Sequence, residues 1–402
     1  MAVRGKSADL VIVGAGAIGG WASWFAANDL GAERVVVLEQ GVVGQGASSR
    51  AAGMVRAQGG SPDTVRLGMW SIAFYRGQQR LLGTDSGFSE QGYLILARTA
   101  ADERTARERV QMQRNVGLDV RWIDADRVRR LNPTLTAGFR GATYCPTDGW
   151  IDPPRNVRAY SLAMERAGVD LRERTPFVGV RTSRGRVTGV KTTTGVIATE
   201  RVILTGGPTL REVGRLVDAR FLVGAARHQV VVTEPHPDFQ VPGRPMAFDL
   251  ASGIYWRPED GGLMWGMSNP NETPGPARDM DWEYVRLMEK KLNRIVPITK
   301  KLGIRKAWAA TIEYTPDHLP LLGPVTLRDG DDLEGATVAT ANGHGMMWGP
   351  AVARIAADLS LVGRTRVVKH ADHFRMDRFD DRGNSPFTDP IALPFPVAVD
   401  DD

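Results

Sequence analysis

DLVIVGAGAIGGWASWFAANDLGAERVVVLE, residues 9–39, decides the fold. Asp9 to Val13 is a short run rich in β-branched apolar residues, the pattern of a strand buried on both faces. Gly14, Gly16 and Gly19 follow in a G-x-G-x-x-G turn that also holds Ala17 and Ile18. An apolar helix is predicted over Gly20 to Asn28 and a second strand over Arg34 to Leu38, and Glu39 stands 20 residues beyond Gly19. Glycines alone are a weak signal; between a strand and a helix, with an acid at that distance, they specify a dinucleotide cradle. Gly14 permits the tight turn, Gly16 lets a pyrophosphate approach the backbone, and Gly19 lets helix and strand pack closely. The helix amino terminus offers N–H groups and partial positive charge to the phosphates. Glu39, with Gln40 beside it, is placed to accept the ribose hydroxyls, and an acid there disfavours a 2′-phosphate.

The chain's 402 residues exceed what one core usually holds, so two domains or one large interleaved unit are expected. The net charge of +5 is spread along the chain without a block of like charges, which argues against nucleic acid as a partner. Cys145 is the only cysteine, so no intrachain disulfide or C-x-x-C redox pair can form. Six histidines without H-x-H or H-E-x-x-H spacing give no metal signature. No 18-residue apolar run predicts a membrane span, and the short basic start lacks a signal-type segment; the expected location is the cytoplasm.

The next segment distinguishes among dinucleotides. Gly44 to Met54 reads GQGASSRAAGM, in which Ser48, Ser49, Arg50, Ala52, Gly53 and Met54 suit a loop against a large planar ligand and its phosphates. Together with GAGAIGG, VVVLEQ and the continuation to Arg56, this resembles the D-amino-acid-oxidase-type family of flavoproteins, of the glycine oxidase, sarcosine oxidase and dimethylglycine dehydrogenase kind. Further stretches carry the likeness: CPTDGWIDP at residues 145–153, TPDHLPLLG at 315–323 and ANGHGMMWGP at 341–350. The resemblance covers about 90% of the chain.

It implies an α/β fold: a Rossmann-like FAD-binding domain and a second, mostly antiparallel β-sheet substrate domain with flanking helices. The expected division is residues 1–85, 145–218 and 306–370 for the discontinuous FAD-binding domain, 86–144 and 219–305 for the substrate domain, and 371–402 for a carboxyl-terminal tail. Strand patterns at 227–233, 254–258 and 262–266 and an amphipathic helix at 281–295 supply the second domain's content. The implied cofactor is non-covalent FAD, since the family's attachment cysteine is absent and its attachment histidine falls in Ser48-Ser49-Arg50. Val178 is implied to read the adenine edge through its backbone, although it also reads as an ordinary core strand residue. Gly206 and Gly207 are implied to pack near the nucleotide, and Gly343, His344, Gly345, Met346 and Met347 to cap the flavin, with the following helix directing its amino terminus at the ring.

The implied activity is oxidation of the C–N bond of an amino-acid-like secondary or N-methyl amine to an imine, with hydride transfer to flavin N5 and oxygen or another molecule as acceptor. A substrate carboxylate calls for a bidentate arginine. Arg56 matches the family's carboxylate-binding arginine, and Arg257, beside Tyr255, is a second candidate. Met264, Tyr255 and His344 complete the expected substrate side, His344 being foremost a cofactor contact. Met347 and Met264 stand where sarcosine oxidases carry lysines, and losing cations there implies slow reaction with oxygen. Two alternatives stay open: a flavoprotein subunit of a larger dehydrogenase complex, and FAD-dependent oxidation of a hydroxy acid. Oligomeric state is left open as well. A flavin hydroxylase is set aside because its Gly-Asp-Ala motif is replaced here by Ala-Asn-Gly-His-Gly.

Overall fold

Parallel pairing builds the first sheet outward from Leu10–Val13. That strand lies between Val35–Leu38 and Val202–Leu204; Asp170–Arg172 adds beyond the former and Asp332–Thr340 beyond the latter. The computed structural model describes residues 7–136 and 138–391. Leu321–Thr326 runs antiparallel beside Asp332–Thr340, and the hairpin of Phe177–Ser183 and Arg186–Thr192 with Gly195–Ile197 completes nine strands. Burial on both faces explains the near-continuous apolar runs. Leu10, Ile12, Val35 and Val37 enter one core with Trp21 and the helices Ala17–Trp24, Pro62–Leu82, Pro153–Arg166 and Gly349–Val362. Val11, Val13, Val36 and Leu38 enter the other, with Phe177, Val213 and Phe221.

The second sheet has eight strands, in the order Ile304–Tyr314, Gly224–Thr233, Gly262–Met267, Ile254–Glu259, Met246–Asp249, Tyr93–Ala97, Gly141–Cys145 and Arg121–Asp124. All pairings are antiparallel except that of Met246–Asp249 with Tyr93–Ala97. Period-two alternation gives this sheet two distinct faces. Val231, Trp256 and Trp265 pack under Val285, Met288 and Leu292 of the helix Trp282–Ile295. Val230, Val232 and Met264 face the other way and meet Ala52. A three-stranded ribbon of Met54–Val55, Gly149–Trp150 and Ser89–Glu90 lies between the two sheets in the chain's path.

The α/β fold with its mostly antiparallel second sheet is as anticipated. One boundary is corrected. Ile304–Tyr314 pairs along Gly224–Thr233, so position 306 falls inside a strand of the second sheet and the chain returns to the first only after Tyr314. The first helix begins at Ala17 and ends in one wider turn, Phe25–Asp29. Among the described residues no helix is long and apolar enough to cross a membrane.

Candidate active site

The helix Ala17–Trp24 opens at Gly16 without a side-chain cap, at the wall of a cavity of about 1010 Å³. Ser48 Oγ accepts from the Ala17 N–H at 3.0 Å. The Glu39 carboxylate accepts from the Ala15 N–H at 3.0 Å and the Gly41 N–H at 2.8 Å, which fixes it beside the cradle. Gly14 has φ +93°, and a side chain there would meet Thr205 Oγ1 at 2.6 Å, so the turn itself demands glycine. Gly16 is different. Its φ of −78° suits any residue, and a Cβ would meet only Ser48 Oγ, at 3.3 Å. At the far end of the same cavity Gly345 has nothing within 4 Å of where its Cβ would lie. The chain's own packing does not require glycine at either place. The cleared space, the helix amino terminus and the fixed carboxylate fit an extended dinucleotide that runs from the Gly14 turn to Gly343–Met347.

Of the residues expected to hold the cofactor, all but Ser49 and Val178 line this cavity. Ser49 Oγ turns back to the Gly44 carbonyl. The Val178 side chain is 43% exposed, and its neighbour Phe177 lines the cavity instead. The late turn contributes Asn342 to Met347, but the lining stops before the helix Gly349–Val362, whose Ala351 N–H is already bound to Ser71 Oγ at 3.3 Å. That helix terminus is therefore less open than anticipated.

Among the substrate-side candidates Arg56, Tyr255 and His344 line the cavity, whereas Arg257 and Met264 do not. Both point to the correct side of the second sheet but sit one layer behind the segment Ala52–Met54. Arg257 Nε donates to the Ala52 carbonyl at 3.0 Å, its Nη1 is paired with Glu259, and its guanidinium stands over Trp150. Met264 is packed against Ala52, Val230 and Val232. Arg257 holds the loop that lines the site; it is not a free cation for a substrate.

Arg56 is 4% exposed and has no ion-pair partner among the described residues, its Nη1 donating to the Gln58 carbonyl. Beneath it, Asp148 accepts from the Ala57 N–H at 2.8 Å and from Gln58 Nε2 at 3.0 Å. Burial pushes the Asp148 carboxyl up to about 6, against those hydrogen bonds and the nearby Arg56 charge. The same cavity wall carries a relay of which only Tyr255 was expected. Tyr255 Oη lies 2.5 Å from His228 Nε2, His228 Nδ1 2.8 Å from Ser268 Oγ, and Ser268 Oγ 3.0 Å from Tyr314 Oη. All four side chains line the cavity. The strand Gly224–Thr233 carries His228 on the face of Val230 and Val232, a polar residue where alternation calls for an apolar one. That was the sequence signal for it. Glu313, also on the wall, accepts from Thr340 Oγ1 at 2.7 Å, and burial raises its carboxyl.

Burial holds His228 down at about 4. It holds His344 at about 3, with the Arg56 charge acting in the same direction. Both lie below the ordinary 6.5, so as pH falls the unfolded chain takes these protons first. Their contribution to stability is present above pH ~6.5 and is lost as pH falls towards 4. Asp148 acts oppositely, since its folded value lies above its unfolded one. The Tm of wild type should therefore drop more between pH 7 and 5 than that of His228→Asn, compared by calorimetry; parallel curves would contradict the burial argument. Away from the cavity, His370, Asp372 and His373 group on a short surface turn, where His373 Nδ1 lies 3.2 Å from Asp63.

Comparison with known proteins agrees with this geometry. The DAO family, described as FAD dependent oxidoreductase, matches residues 9–359. The 4-methylaminobutanoate oxidase (formaldehyde-forming) of Paenarthrobacter nicotinovorans is 28% identical over 88% of this chain, which spans only 43% of that protein. Glycine oxidase of Geobacillus kaustophilus is 29% identical over 87% of this chain and 92% of its own length. Its crystal structure superposes with a TM-score of 0.78 at 26% identity, covering 92% of this chain and 99% of that one. L-proline dehydrogenase from P. horikoshii superposes with a TM-score of 0.86 over 94% of this chain and 99% of that one, at 24% identity, a likeness of fold alone.

Proposed function

The chain belongs to the DAO family of FAD-dependent oxidoreductases, and on that premise we propose that it oxidises the C–N bond of an amino-acid-like secondary or N-methyl amine. When bound, FAD supplies the two-electron acceptor for that oxidation. The observation that carries the reading is Arg56, a buried guanidinium on the cavity wall with no acid paired to it among the described residues. A buried cation calls for an anionic partner, and a carboxylate suits its planar fork. Seating the carboxylate there turns the substrate's amine towards Tyr255 and His228. His228 stays neutral at physiological pH. With Nδ1–H donating to Ser268, its Nε2 accepts from the Tyr255 hydroxyl. The Tyr255 oxygen then offers its lone pairs to a substrate N–H and orients the amine, while burial favours its uncharged form, the one that can give up hydride. The apolar remainder of the wall excludes water from the reacting carbon.

Gly14, Gly16, Glu39 and Ser48 would hold the adenosine and pyrophosphate end, and Gly343 to Met347 the ring end. The one cysteine, Cys145, is buried off the cavity wall, which leaves no thiol there to bond the flavin, and FAD is expected to be held without a covalent bond. Acid precipitation should leave the yellow colour in the supernatant; a coloured pellet would contradict this. Among the described residues no lysine lines the cavity, and Met347 occupies the wall at its ring end. Reduced protein should therefore react slowly with oxygen, and Met347→Lys should speed reoxidation at least about tenfold by placing a cation where negative charge develops. Stopped-flow mixing with aerated buffer measures both.

The reaction itself is tested with free and N-methyl amino acids and an artificial electron acceptor. Equal amounts of carbonyl product and released amine or ammonia are expected; no carbonyl from any amine would overturn the proposal. A second reading, a flavoprotein subunit of a larger assembly, is favoured by one relative. The sarcosine oxidase subunit beta of Rhodobacter capsulatus is 25% identical over 79% of this chain and 77% of its own.

A further inference from the structure

Residues 363–391, which follow the helix Gly349–Val362, do not trail away from the fold. Phe374 is buried in the core under that helix. Arg378 then forms a buried, two-pronged ion pair with Asp317, at 2.7 and 3.0 Å, and its Nη1 also donates to the Phe374 carbonyl at 2.6 Å. Further on, the Asp389 N–H donates to the Asp317 carbonyl at 3.1 Å, so one residue anchors the segment at two points. Asp389 and Pro390 press on Gly60 so closely that a side chain at position 60 would lie 2.2 Å from Asp389 Oδ1. The Asp389 carboxylate accepts from the Ile391 N–H at 2.9 Å and fixes where that residue enters. Ile391 is 2% exposed, packs against Tyr93, Met246 and Phe248, and lines the cavity.

We propose that Ile391, delivered by this strap, determines specificity by closing the apolar part of the cavity wall that Arg56 also lines and limiting the bulk of the substrate's side chain. A rigid hydrophobic wall discriminates by volume: a group that fits gains its transfer energy, and one methylene too many must displace packed neighbours. The strap's anchors are buried and charged, which makes the wall stiff. The proposal rests on Arg56 as the carboxylate seat, and its test is chosen so that the two can fail separately.

Acetate, isobutyrate and benzoate are titrated into FAD-loaded protein, with binding read from the visible spectrum. Ile391→Ala should raise the benzoate-to-acetate affinity ratio about tenfold, and Ile391→Trp should lower it about tenfold, within the range of hydrophobic-pocket discrimination. If either variant loses FAD, Ile391→Val carries the test, with an expected rise of about threefold for one methylene. A ratio unmoved in variants that retain FAD overturns the inference, as does wild type that binds none of the three. A shifted ratio in a protein that no amine reduces leaves the role of Ile391 standing and removes the proposed reaction.

Discussion

Arg56→Ala should lower kcat/KM for the best amino-acid substrate about 300-fold, while the same substrate's decarboxylated amine changes less than about threefold. Losing charge-assisted hydrogen bonds to a desolvated carboxylate costs about 3–4 kcal/mol, which sets the size of the loss. The selectivity of the loss matters more than its size. Arg56 is almost wholly buried, makes no ion pair among the described residues and has Asp148, engaged by Ala57 and Gln58, beside it, so the proposed substrate carboxylate would be its ion-pair partner. Arg56→Lys should recover part of the activity, because a point charge lacks the planar fork. Equal losses for acid and amine would mean that Arg56 supports the loop rather than the substrate.

Gly16→Val should fold and yet lose FAD, with Kd weakened about 100-fold or more. Nothing in the turn forbids the substitution: φ is ordinary and the nearest obstacle is a hydroxyl at 3.3 Å. The valine methyls would instead occupy the approach of the pyrophosphate and displace two or more of its hydrogen bonds, each worth about 1.5–3 kcal/mol. Gly19→Val gives the contrasting result. Its Cβ would lie 1.9 Å from the Gly14 carbonyl oxygen, a backbone clash that no rotamer relieves, so fold and cofactor are lost together. Circular dichroism with FAD titration separates the two cases. A Gly16→Val protein with full FAD affinity would remove the cradle from this account.

The residues proposed to grip the nucleotide were legible because their demands are local. Gly14, Gly16, Gly19 and Glu39 act within one strand–turn–helix, where spacing in sequence is spacing in space. The substrate side depends on which strands pair, which no local pattern states. Arg257 and Met264 pair across two strands of the second sheet, yet the loop of Ala52 to Met54 comes between them and the cavity. His228 lies within the strand pattern at 227–233, and only pairing sets it beside Tyr255 and Ser268. The strands Met246–Asp249, Gly141–Cys145 and Arg121–Asp124 escaped notice because each is short and takes its order from neighbours far along the chain. Ile391 was part of a tail by sequence and is part of the cavity wall by contact.

The atom attached to the oxidised carbon, nitrogen or oxygen, separates the proposed reaction from its alternative. Purified FAD-loaded protein is mixed anaerobically with matched N-methyl amino acids, free amino acids and 2-hydroxy acids of equal side chain, and the visible flavin band is followed. Bleaching by the amines, fastest for an N-methyl compound, with none by the hydroxy acids is the predicted result. Bleaching by the hydroxy acids alone would contradict it.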